Sequence, residues 1–106
     1  MPKRQAVVIQ PKAGLYYANV SEFADSIKSA VKDIGETLVL DLKYSPYLDS
    51  TAARSILDSL VESLQAFNNI VVSNCSEDVK KDLVRYASSE THKAMLGFLK
   101  IINRDF

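Results

Sequence analysis

Cysteine, histidine, glycine and proline are scarce in this chain, and tryptophan is missing. The one cysteine, Cys75, has no partner for an internal disulfide, so a disulfide framework is excluded and a reducing compartment is expected. It follows an apolar run and reads as a small, partly buried side chain rather than a reactive thiol. A lone histidine, His92, without any HxxxH or CxxC spacing, leaves no zinc-type ligand set. His92 lies in a polar stretch, which predicts a solvated surface side chain. The three glycines, at 14, 35 and 97, stand apart, so neither GxGxxG nor a P-loop exists. Gly-x-Ser-x-Gly is missing too, although a Ser-His-Asp triad assembled by the fold stays open. These absences predict a chain that is not an enzyme and holds no metal or cofactor.

Charge of one sign is also lacking. Lys plus Arg and Asp plus Glu number 13 each, for a formal net charge of zero. Nucleic-acid binders need basic excess to displace counterions from phosphates, and a polybasic membrane anchor needs the same. Neither partner is expected. No long hydrophobic run occurs: Ala6 to Ile9 is too short for a signal peptide or a membrane span, despite the basic start Met1-Pro2-Lys3-Arg4-Gln5. A cytoplasmic chain without direct membrane insertion is expected, and the cytosolic part of a larger membrane protein would read the same way.

What is present fits one domain, residues 1–106: 47% apolar and 25% charged residues, enough for one core with a solvated surface. Ala6-Val7-Val8-Ile9 predicts a strand, and Leu15-Tyr16-Tyr17, after a turn at Lys12-Ala13-Gly14, a second that forms a hairpin with it. Asn19 with Glu22 reads as a capping box opening a helix. Its apolar stripe is Val20, Phe23, Ala24, Ile27, Ala30, Val31 and Ile34, and Gly35 is its stop. Thr37 to Leu42, nearly all apolar, predicts a central strand. After a loop from Lys43 to Leu48, a second amphipathic helix runs from about Ser50 to Phe67, with Ala53, Ile56, Leu57, Leu60, Val61, Leu64 and Phe67 inward. Ile70-Val71-Val72 is the next strand, making a right-handed βαβ unit. Ser76 caps a third helix with Val79, Leu83 and Tyr86 inward. Met95 to Ile102 reads equally as a helix or as a short strand from Phe98 to Ile102 after a turn at Gly97. The fold class is α/β: one domain, a mixed sheet of four to five strands, and helices.

The segment Tyr44-Ser45-Pro46-Tyr47-Leu48-Asp49-Ser50-Thr51-Ala52-Ala53-Arg54 carries the most functional signal. It joins the carboxyl end of the central strand to a helix N-terminus, an edge of α/β sheets where ligands and partners usually bind. One capping residue suffices there, yet Asp49, Ser50 and Thr51 stand in a row. A phosphate on Ser50 or Thr51 would bring a charge of roughly −1.5 to −2. The helix tip would accommodate part of it, Arg54 would screen it and Asp49 would repel it. Tyr44 and Tyr47 suit a partner surface, or simply cover the core edge.

The runs Thr37–Leu42, Tyr47-Leu48-Asp49-Ser50-Thr51-Ala52, Ile70–Asn74 and Val79-Lys80-Lys81-Asp82-Leu83 together resemble the STAS domain. That family includes sulfate transporters and anti-sigma-factor antagonists. The resemblance spans about Ala6 to Leu83 and implies helices packed largely on one side of a mixed sheet. It also implies a final strand near Gly97–Ile102, with the family's last helix absent or very short here. In the antagonist branch a kinase phosphorylates the Asp-Ser-Ser/Thr turn and blocks partner binding. The acceptor position falls on Thr51, with Ser50 beside it. In the transporter branch the domain is the cytoplasmic C-terminal part of a SulP-type anion carrier, and Gly14-Leu15-Tyr16-Tyr17-Ala18-Asn19-Val20-Ser21-Glu22-Phe23 resembles that branch more closely. A compact chain beginning at Met1 fits the free-standing alternative. The resemblance therefore implies a protein partner: a transporter's membrane domain, an anti-sigma factor or kinase, or a second copy in a homodimer. Asp49, Arg54, Tyr44 and Tyr47 are the residues expected to meet it. A sensor of nucleotide or lipid at the Asp49 loop is a third reading.

Overall fold

A computed structural model describes residues 6–12, 20–30 and 36–106. The elements run β1 (Ala6–Ile9), α1 (Val20–Ala30), β2 (Thr37–Asp41), α2 (Ser50–Ser63), β3 (Asn69–Ser73), α3 (Glu77–Tyr86), α4 (Glu90–Phe98) and β4 (Lys100–Ile101). The described strands form one four-stranded sheet in the order β1-β2-β3-β4, with every pair parallel. The antiparallel part of the expected mixed sheet, the strand at Leu15–Tyr17 with its hairpin, lies outside the described residues. So do the Asn19 cap, the end of the first stripe at Val31 and Ile34, and the stop at Gly35.

Among the described residues, each strand lies beside the next one in sequence. Successive right-handed crossovers in one direction place every connecting helix on the same face. Accordingly α2 packs against α1, α3 and α4 alike. Strand alternation divides the sheet. Val7, Ile9, Leu38, Leu40, Ile70, Val72 and Ile101 belong to the helix-side core, together with Phe23, Ile27, Ile56, Leu57, Leu60, Val79, Leu83 and Met95. The opposite row, in register, is Val8, Val39, Val71 and Lys100. There Val39 and Val71 are buried while Val8 is 57% exposed.

Two boundaries differ from the sequence pattern. The second helix ends at Ser63, four residues before the apolar stripe does. Gln65 and Ala66 bond back three residues, to Glu62 and Ser63, so the last turn tightens instead of stopping and still delivers Phe67 to the core. At the other ambiguous place both alternatives form in succession. Ser89 accepts from the His92 N–H at 3.0 Å and caps α4, and β4 follows directly after Leu99. Gly97 therefore sits inside a helix, not at a turn.

Candidate functional site

The loop from Leu42 to Asp49 leaves the carboxyl end of β2 pinned at three points. The Leu42 N–H donates to Ser73 O on β3 at 3.0 Å, and the Ser45 N–H turns back to Leu42 O at 3.0 Å. Leu42, Ser45 and Leu48 are buried. The residues between these anchors point outward, so Tyr44 is 46% and Tyr47 57% exposed. Two ammonium groups flank the Tyr44 ring, Lys12 at 5.1 Å and Lys43 at 5.6 Å from its centroid. Such cation–π contacts hold an exposed tyrosine in place without covering it.

Asp49 is the N-cap of α2, with φ −87° and ψ 175°. Its Oδ1 accepts from the Ala52 N–H at 2.8 Å, and its carbonyl accepts from the Ala53 N–H at 2.9 Å. Capping is thus fully assigned to Asp49, which leaves the next two hydroxyls free of that duty. The helix turns Ala52 and Ala53 into the core. Thr51 is consequently exposed and Ser50 half-buried. Arg54 is exposed, one turn beyond Thr51, but its guanidinium lies over the Tyr86 ring of α3 at 6.0 Å, and Arg85 lies over the same ring at 5.9 Å. The structure therefore brings Tyr44, Tyr47, Asp49, Ser50 and Thr51 onto one loop-and-helix-tip surface, and ties Arg54 to the neighbouring helix.

Two arrangements were not legible beforehand. Asp41, at the end of β2, is half-buried and accepts from Gln10 Nε2 at 2.8 Å, the Lys43 N–H at 2.9 Å and Asn74 Nδ2 at 3.0 Å. Burial pushes its carboxyl upward. The Asn74 amide, the Lys43 N–H, the Gln10 amide and the Lys43 charge outweigh that effect and hold it below its ordinary value. The only advance signal was an acidic residue closing an apolar strand.

The second is His92, where the expectation of a solvated side chain is overturned: the residue is 5% exposed. Its Nδ1 lies 3.2 Å from the Ser88 N–H, which can only donate, so Nδ1 accepts and the proton sits on Nε2. Nε2 then donates to Asp58 Oδ1 of α2 at 2.5 Å. Ser88 Oγ is 3.4 Å from Nδ1, so serine, histidine and aspartate do converge. The one lone pair a hydrolytic base would need is already taken by the Ser88 N–H. The group is a brace fastening α4 to α2.

Cys75 is buried, as expected, and burial pushes its thiol up to about 11, which keeps it inert. Among the described residues no three His, Cys, Asp or Glu side chains converge as a metal site. No described helix is long and apolar enough to cross a membrane. A shallow apolar groove of about 260 Å³ lies between α2 and α4, lined by Val61, Leu64, Ala94 and Phe98 among others.

The family model described as the STAS domain matches residues 2–94. A solved structure described as a sulfate transporter family protein from Wolinella succinogenes is similar at a TM-score of 0.69 and 13% sequence identity. The similarity covers 93% of this chain and 77% of that one, and at such identity it bears on the fold alone. No curated protein matches the sequence at a significant level.

Proposed function

The chain belongs to the STAS domain family, and from that premise we propose that it is a non-enzymatic regulatory domain that docks a protein partner through the Tyr44–Thr51 surface. One observation carries the reading. Two tyrosines and, in the first turn of α2, a threonine hydroxyl are held exposed along a segment anchored in the core at Leu42, Ser45 and Leu48. Tyrosine, an apolar ring with a polar tip, is enriched at protein interfaces and among their hot spots. The partner in this reading is the membrane domain of a SulP-type anion transporter, of which the chain is the cytosolic C-terminal part. Membrane helices encoded upstream in the same reading frame would support it. Titrating the domain with that membrane part tests it directly. Tyr44→Ala and Tyr47→Ala should each weaken binding at least about thirtyfold, the ~2 kcal/mol of an interface hot spot. Unchanged affinity in both would remove the surface from consideration.

A second reading is favoured by the exposure of Thr51 beside a helix tip already capped by Asp49. Here the chain is a free-standing anti-sigma-factor antagonist switched by phosphorylation at Thr51 or Ser50. A doubly charged group would be tolerated at the helix N-terminus and would reverse the local surface potential. Incubation with an anti-sigma-type serine kinase, read by mass spectrometry, distinguishes the two. No added phosphate, or phosphate only outside residues 50 and 51, rejects the antagonist reading.

A further inference from the structure

The C-terminal segment returns along the carboxyl end of β3 instead of leaving the sheet. The Ile102 N–H donates to Val72 O at 2.9 Å, the Cys75 N–H to Ile102 O at 3.0 Å, and the Asn74 N–H to Arg104 O at 3.0 Å. Asn74 takes a φ of 51°, a left-handed conformation that asparagine accepts better than most residues. This turn aims its side chain between two carboxylates. Nδ2 donates to Asp41 Oδ1 at 3.0 Å and to Asp105 Oδ1 at 2.8 Å. A primary amide has two hydrogens, so both bonds form at once. With the amide removed, the two carboxylates would face each other and repel.

Asp41 passes the constraint on. Its Oδ1 also accepts from the Lys43 N–H, where the Tyr44 loop begins, and its Oδ2 holds Gln10. Gln10 Oε1 accepts from Lys12, whose ammonium returns to the Tyr44 ring. The circuit therefore joins the ends of β1, β2 and β3 to residues 102–105.

We propose that Asn74 is a positioning residue that makes segment 102–105 a strap on the Tyr44 loop: attachment of Asp105 to Asn74 fixes the Asp41 carboxylate and, through it, the first turn of that loop. The docking reading gives this coupling its use, but the coupling stands without it, and its test involves no partner.

The test compares the full chain with three variants. Asn74→Gly keeps the left-handed turn and its main-chain bonds but deletes the amide. Asp105→Ala deletes only the far end of the strap, and Asp105→Asn keeps an acceptor oxygen there. Amide exchange at Lys43 and Ser45 and the 13C titration of the Asp41 carboxyl are followed by NMR. Asn74→Gly and Asp105→Ala should both speed exchange at Lys43 by at least about tenfold, a local opening that leaves the Lys93 amide of α4 at its wild-type rate. Asn74→Gly should raise the Asp41 midpoint towards its ordinary 3.8, because the carboxyl loses its amide donor and meets the Asp105 charge unshielded; Asp105→Ala, which also removes a like charge, is read by exchange. Asp105→Asn, which keeps the acceptor, should restore the Lys43 exchange rate most of the way. A response to Asn74→Gly alone would put the tail outside the circuit and overturn the proposal, as would no response in either. Should Asn74→Gly fail to fold, the two Asp105 variants decide by themselves.

Discussion

At Asp49, Asp41 and His92, polar side chains act through the backbone groups they satisfy. Removing the cap with Asp49→Ala should cost about 0.5–2 kcal/mol, read as a lower urea midpoint with unchanged slope. Thr51→Ala, exposed and free of cap duty, should stay within about 0.5 kcal/mol. That contrast separates the structural role of the turn from any signalling role of its hydroxyls. At the brace, Asp58→Ala leaves the Nε2–H of a buried imidazole without its acceptor, and should cost about 1–3 kcal/mol although Asp58 itself is 70% exposed. Asp41 sets a pH dependence. Its carboxyl is held below the ordinary value, so its stabilising contribution is complete above about pH 3.8 and lost as pH falls through the lowered folded value. Asp41→Asn should flatten that acid limb in urea midpoints measured across pH 2–5, while lowering stability near neutrality.

At the level of elements, capping chemistry and apolar spacing were sound guides. Ser76 caps α3 by accepting from the Val79 N–H at 3.2 Å, as its place before Glu77 and Asp78 predicts. Val79 and Leu83 face inward on the expected stripe, and Tyr86 is half-buried behind them. What misled was glycine. Gly97 looks like punctuation, yet α4 runs past it to Phe98 and closes with the Leu99 N–H donating to Met95 O at 3.0 Å, and a Cβ at Gly97 would meet nothing within 4 Å. Gly97→Ala should therefore stabilise the protein by about 0.4–1 kcal/mol, chiefly by restricting the unfolded chain, and thermal melting should show an upward shift. No change or a loss would mean that the end of α4 needs glycine for a reason beyond space. The β4 strand shows the opposite limit: Lys100 and Ile101 fall inside the Phe98–Ile102 strand alternative, but periodicity alone does not choose it over a helix, and pairing with Val71 and Val72 defines it.

For the whole molecule, the sequence alone determined that the chain makes one α/β domain, and it located the central strand, the long second helix and the capped turn between them. Those features are local: they depend on which residues repeat at 2 or 3.6 and on which side chains reach the nearest free N–H. Only the tertiary structure decided which partners distant polar residues would find. Asp41 meets Asn74 and, through it, Asp105, because parallel strands in sequential order bring their carboxyl ends to one edge. His92 is buried against Asp58 because one-sided packing lays α4 on α2. A hydrogen bond spanning more than thirty residues leaves no periodic trace in the chain, since its geometry exists only after the layers have packed.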